Sequence, residues 1–377
     1  MATARVSVYR PARWLPGAHL QTLFGALFRK PPTLTRRRQR MFLADGDFLD
    51  LDWLDLDGVE TTHAPGQPHG SSHDAKTPCV ILLHGLTGSS NSLYILGQQQ
   101  ALARLGWQSV AVNWRGCSGE PNQRARGYHS GASEDLAEVV NQLRSALPAR
   151  RPLAAIGYSL GGNVLLKYLG ESASDCPLAA AAAVSVPFRL DQCADRISVG
   201  FSRIYQARFM RDLLAYVVNK QRLFAHQGLH AEHARLAALG SLEGMDSLWD
   251  FDQRVTAPLH GFASAADYYR RCSSRFFLGG IRVPTLIVQS ADDPFVYPHS
   301  VPETQELSAS TQLELHAGGG HVGFIEGPPW RPGYYLERRL PQWLQQQLEP
   351  PANPSVQRDG TSATGHSIRA ASPPPEA

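Results

Sequence analysis

The sequence predicts an α/β protein: a mainly parallel sheet flanked by helices, with an α-helical cap inserted between two core strands. Three observations predict it. Short continuous apolar runs recur from Cys79 onward, as in Val80-Ile81-Leu82-Leu83, and such runs suit strands buried on both faces. Segments of helical periodicity lie between them, and strands alternating with helices imply right-handed crossovers and parallel pairing. The rhythm then stops between Phe188 and Gly280, where aromatic and Arg-rich helical stretches hold no convincing strand.

Taken in order, residues 1–75 form a leader. Within it, Leu20, Leu23, Phe24, Leu27 and Phe28 follow helical spacing and predict a helix over Leu20 to Phe28. Two readings of that segment stand: docking on the main domain, or a foot on a membrane surface with Arg29, Lys30 and Arg36 to Arg38 facing anionic lipid. Asp47 to Leu56 alternates apolar and acidic residues, the pattern of a half-buried antiparallel strand. Pro65 to Ser72 reads as a surface loop, and His63, His69 and His73 as solvated residues rather than metal ligands.

The first part of the core, 76–187, holds strands at Val80–Leu83, Ser109–Asn113, Leu153–Ile156 and Ala179–Val186, with helices at Ser133–Leu147 and Gly162–Leu169. The cap spans 188–280, with helical segments at Phe201–Leu223 and Ala263–Arg275. The second part of the core, 281–349, adds strands at Pro284–Gln289 and Gln312–His316. The tail, 350–377, has almost no large apolar residues and reads as disordered.

Composition excludes several classes. With 36 Lys plus Arg against 33 Asp plus Glu, the net charge of +3 is too small to imply nucleic acid. The basic run Arg36-Arg37-Arg38 reads as solvated surface. Five cysteines, odd in number and without CxxC spacing, argue against a disulfide framework and a zinc site. No apolar run approaches the ~20 residues a bilayer span needs, and no signal-peptide pattern opens the chain. The expectation is a soluble, cytoplasmic protein, with peripheral membrane contact through the leader as the alternative.

The chemistry centres on Gly157-Tyr158-Ser159-Leu160-Gly161, set between an apolar strand and a helix. That is the context of a nucleophile elbow, in which a strained turn exposes the serine Oγ beside a helix N-terminus. A serine nucleophile needs a base, and the base an orienting carboxylate. Downstream, one strand ends in Ser290-Ala291-Asp292-Asp293-Pro294 and the next in Gly318-Gly319-Gly320-His321. Both loops belong at strand C-terminal ends, where such sheets place their sites. Ser290 as the small residue of a small-x-x-Asp turn selects Asp293 as the acid, which leaves Asp292 to cap or brace the turn. His321 is the base. Leu86, in His84-Gly85-Leu86-Thr87-Gly88 after the first core strand, and Leu160 are the expected oxyanion donors through their backbone N–H groups. His84 reads as structural.

These residues resemble the YheT-like branch of the α/β-hydrolases, related to the mammalian abhydrolase-domain esterases and phospholipases. The resemblance runs from about Tyr9 to Leu348. Its marks beyond the triad are Pro16-Gly17-Ala18-His19-Leu20-Gln21-Thr22, Asp45-Gly46-Asp47-Phe48, Asn113-Trp114-Arg115-Gly116 and Gly320-His321-Val322-Gly323-Phe324. The cap adds Asp252, Gly261-Phe262, Asp267-Tyr268-Tyr269 and Ser273. The resemblance implies the α/β-hydrolase fold and a Ser159–Asp293–His321 charge relay. It also implies hydrolysis of carboxylic esters, from short-chain esters to acylglycerols and phospholipids, with no metal or organic cofactor. Acyltransferase, thioesterase and non-catalytic scaffold readings stay open. The HxxxxD element of some acyltransferases is altered, since His129 is followed by Glu134 at that spacing and Asp135 one further on. The membrane anchor of the mammalian relatives has no expected counterpart. Phe201, Tyr205, Phe209, Leu248, Trp249 and Phe262 are the cap residues expected to favour a lipid-like acyl group.

Overall fold

A computed structural model describes residues 8–55 and 77–348. The chain opens with helix α1 (Ala18–Leu27) and strands β1 (Arg37–Phe42) and β2 (Phe48–Leu54). The core continues as β3 (Cys79–Leu83), α2 (Leu93–Ala103), β4 (Gln108–Asn113), α3 (Ser133–Ala146), β5 (Leu153–Tyr158), α4 (Leu160–Ser172) and β6 (Ala180–Val184). Helices α5 (Leu190–Ile197), α6 (Arg203–His226), α7 (His230–Ala237), α8 (Leu248–Phe251), α9 (Ala257–His260) and α10 (Ala265–Cys272) form the cap. Strands β7 (Thr285–Ser290) and β8 (Thr311–His316), a two-stranded ribbon β9 (Ile325–Glu326) and β10 (Gly333–Tyr334), and α11 (Tyr335–Leu348) complete it.

The main sheet runs β1-β2-β4-β3-β5-β6-β7-β8. Strands β3 to β8 are parallel, and the β1–β2 hairpin adds to β4 antiparallel. Alternation along each strand divides two core layers. Ile81, Leu83 and Ala155 face α3 and α4, while Val80, Leu82 and Ala154 face α2 and α11. The alanines of β6 supply both layers, which lets helices approach its two faces closely. No strand interrupts the cap, and no described helix is long and apolar enough to cross a membrane.

One expectation is corrected at the leader edge. Strand β2 is buried along its whole length rather than on one face. The basic run is exposed, as expected, with the Arg37 and Arg38 side chains 55% and 43% accessible, and it enters β1, whose arginines also pair with the acids of β2. Arg38 forms a bidentate pair with Asp52 at 2.8 Å, and Arg40 one with Asp50 at 2.9 Å. Buried carboxylates persist only when paired in this way. Helix α2 is hard to read for the same kind of reason, since it buries Gln98 and Gln99, which bond Tyr158 and the Asp52 carbonyl and break any apolar stripe, whereas α11 carries Pro341 in its interior. The leader helix starts two residues earlier than expected, at Ala18, and packs on the main body. His63, His69, His73, the loop around them and the tail lie outside the described residues.

Candidate active site

Ser159 sits between β5 and α4 with φ +52° and ψ −120°. Such backbone costs a β-carbon residue about 1–3 kcal/mol and persists only where its surroundings enforce it. Here two glycines do so. A Cβ on Gly157 would lie 2.4 Å from the Gly161 carbonyl oxygen, and one on Gly161 would lie 2.6 Å from that of Leu83. The turn therefore closes only without those side chains, and it raises the serine hydroxyl above the sheet.

The acid and histidine loops converge on it. His321 Nε2 lies 2.9 Å from Ser159 Oγ, and its Nδ1 lies 2.9 and 3.1 Å from the two Asp293 oxygens. Asp293 is buried and also accepts from Phe295 N–H and from Gln289 Nε2, at 2.9 and 3.2 Å. Asp292 points elsewhere. Its Oδ1 takes the Ser290 hydroxyl and, at 2.9 Å, the Gly320 N–H, so it ties the acid turn to the histidine loop.

The leader supplies a support that sequence reasoning missed. The Thr22 hydroxyl accepts from His321 N–H at 2.9 Å and donates to the Ala18 carbonyl at 2.7 Å. Gln21 Oε1 accepts from Ile325 N–H at 2.8 Å. The fit is close: a Cβ on Gly320 would lie 2.4 Å from the Ala18 oxygen, and one on Gly323 would lie 2.3 Å from that of Gln21. Ser185, also at positive φ, accepts from Val322 N–H at 2.9 Å. The signal was present in the Gln21-Thr22 motif, but polar residues on an amphipathic helix do not announce what they grip.

Leu86 and Leu160 line the same cavity as Ser159. The amides flanking Leu86 are taken, Gly85 N–H by Tyr94 and Thr87 N–H by Tyr128. Leu160 opens α4, where a helix leaves its first N–H groups unpaired. Among the described residues neither N–H of this pair has a protein acceptor. His84 is structural in geometry: Nδ1 lies 2.8 Å from the Gly85 carbonyl and Nε2 takes the Trp114 N–H at 3.3 Å. Burial lowers its pKa to about 4, so the ring is neutral.

A family model described as the alpha/beta hydrolase fold matches residues 78–328. YheT of Escherichia coli (strain K12) is 39% identical over 339 residues, covering 90% of this chain and 93% of that protein. The chain is a member of the YheT-like α/β-hydrolases. Phospholipase ABHD3 of Homo sapiens is 32% identical, over 90% of this chain and 79% of its own. The monoacylglycerol lipase of Saccharomyces cerevisiae is 30% identical, over 72% and 60%. Among solved structures, the Pyrococcus furiosus esterase Pf2001 superposes with a TM-score of 0.50 at 15% identity, over 85% of this chain and 100% of that one, a likeness of fold alone.

In this hydrolase the serine stands where two spaces meet. A cavity of about 110 Å³ runs under the cap, walled by Leu190, Ile197, Phe209, Leu248, Phe251 and Tyr268. Of the six cap residues expected to face an acyl group, Phe209 and Leu248 line it, whereas Trp249 packs on Tyr269 and Phe201 is largely exposed. A larger space of about 370 Å³ runs from the serine along α1. At the cap end, a π-turn over Asp252–Thr256 presents the Asp252 carboxyl, which accepts from Thr256 and Tyr269 hydroxyls at 2.6 and 2.7 Å. Asn163, in the first turn of α4, fastens the cap by donating to the Ser130 and Cys272 carbonyls. Asp135 is tied instead to buried Arg115 at 2.7 and 2.8 Å, and Arg115 also holds Asp45 and Asp47.

Proposed function

We propose that the chain hydrolyses carboxylic esters through Ser159, His321 and Asp293, with the Leu86 and Leu160 N–H groups as oxyanion hole. The continuous Ser159–His321–Asp293 hydrogen-bond relay, at 2.9 Å for each link, is the observation that carries this reading. His321 Nε2 takes the proton as Ser159 Oγ attacks the ester carbonyl, and the charge that develops on the carbonyl oxygen is met by the two amides. Imidazolium then protonates the leaving alcohol. Water, deprotonated by His321, releases the acid from the serine and restores the enzyme. Asp293 holds the ring in the Nδ1–H tautomer and stabilises its charged form. Apart from the ester and water, every group these steps use belongs to the protein, so the reading calls on no cofactor.

The relatives named as phospholipase and monoacylglycerol lipase favour lipid-like esters as substrates. Acyl transfer through His129 is not part of this reading: Asp135 is committed to Arg115, and the carboxylate beside His129 Nε2, at 4.0 Å, is the glutamate Glu134. The test is p-nitrophenyl ester hydrolysis from acetate to palmitate, with Ser159→Ala in parallel. Loss of about 10⁶ in kcat in the mutant is the expected result. Equal rates in mutant and parent, or no turnover by folded protein at any chain length, would sink the reading.

A further inference from the structure

We infer that the leader helix α1 is the specificity wall of the site: it receives the alcohol limb of the ester, while the acyl limb goes under the cap. This rests on the proposed hydrolase reading and adds the shape of the substrate to it. The two spaces that meet at Ser159 are unequal. The one under the cap is about 110 Å³ and the one along α1 about 370 Å³, so the larger limb of a substrate belongs with the leader. Proton transfer assigns the limbs. His321 must reach the leaving oxygen, so the alcohol runs off past the loop that carries it. The space along α1 is bordered by His321, Val322 and Gly323, whereas the cap cavity meets that loop only at His321. On the leader side the wall is Leu23, Gly25 and Ala26, and Arg29, which pairs with Glu337 and lies 3.9 Å over the Tyr334 ring, lines the same space.

Gly25 is the residue that keeps the space open. It lies inside α1, where glycine costs about 1 kcal/mol against alanine. Nothing in the fold asks for it: its φ is ordinary, and a Cβ built there meets no atom within 4 Å. That contrasts with Gly320 and Gly323 opposite, each of which a Cβ would drive into α1. A glycine with no steric or conformational reason, on the wall of the space that holds the nucleophile, is accounted for by what must pass it. The substrate class is an ester of a compact acid with a long-chain, apolar alcohol.

The experiment uses the full chain and two series. Butyrate esters of ethanol to decanol vary the alcohol limb, with acid release followed at constant pH, and p-nitrophenyl esters vary the acyl limb. In the parent, kcat/KM rises at least tenfold from ethyl to decyl butyrate. Gly25→Leu, which improves helix propensity and so preserves folding, removes that rise by about 10- to 100-fold at the long end, since its side chain displaces a few methylenes. It leaves the acyl-length optimum in place. Leu27→Gln, on the exposed side of the same helix, changes neither series. Binding is read separately by titrating decyl butyrate into Ser159→Ala, with and without Gly25→Leu; about tenfold weaker binding in the double variant is expected. Equal binding overturns the wall, and a change confined to the acyl series overturns the assignment of limbs. Failure of the hydrolase reading shows up differently, as turnover that survives Ser159→Ala or is absent throughout, while the binding comparison still decides the wall.

Discussion

Two neighbouring aspartates with opposite tasks define the site at the residue scale. Asp293 faces the Nδ1 edge of His321, whereas Asp292 holds the Gly320 N–H. Asp293→Asn should lower kcat about 10⁴-fold by favouring the wrong tautomer, and Asp292→Asn only about tenfold, through a looser histidine loop. Steady-state kinetics of the two variants check the order, and the reverse order would exchange their roles. Asp252 gives a second, pH-dependent prediction. Burial pushes its carboxyl up to about 6, against the pull of the Thr256 and Tyr269 hydroxyls that donate to it. An unfolded aspartate titrates near 4, so between about pH 4 and 6 the folded state binds the proton more tightly, and stability present at low pH is lost as pH rises through that window. Asp252→Asn carries no charge to bury. Its melting temperature should exceed that of the parent at pH 8, by the equivalent of ~3 kcal/mol at most, and the difference should close by pH 4.

At the scale of elements, the leader helix and the first strand each carry a measurable load. Thr22→Val deprives His321 N–H of its acceptor without changing the side-chain volume much. We expect kcat to fall about tenfold with KM unchanged, and Thr22→Ser to restore it. Arg40→Met leaves Asp50 buried without its bidentate partner, a loss of about 3 kcal/mol in urea denaturation. These two elements also mark the limit of reading the sequence. Where burial is apolar, as in Val80–Leu83 or the alanines of β6, the pattern exposes the strand directly. The elbow was legible because steric need leaves only glycine at 157 and 161, and the acid and histidine loops because they close consecutive strands. Where burial is polar the pattern fails. Strand β2 is misread as half-buried because its inward acids Asp50 and Asp52 are paired by the exposed arginines of β1, and α2 hides because its inner face carries Gln98 and Gln99. The role of Thr22 was equally invisible, since it depends on a loop 299 residues away.

For the molecule as a whole, the site is a junction of three parts: the sheet carries Ser159 and the loop of His321, the cap covers one cavity, and the leader helix borders the other. Removing residues 1–35 should therefore leave the parallel sheet formed, by circular dichroism, yet lower ester turnover more than 100-fold, because the loop of Gly320 to Gly323 loses the surface it is moulded against. The same arrangement governs the order in which the chain can mature. A ribosome releases the leader first, but its docking partners, His321 and Ile325, lie 299 and 304 residues later. Until they emerge, the apolar face of α1 has nowhere to go, and contacts of such long separation are the slowest to form. A nascent chain truncated anywhere before the histidine loop thus lacks both His321 and the seat of α1, so competence arrives in one late step when that loop meets the leader helix.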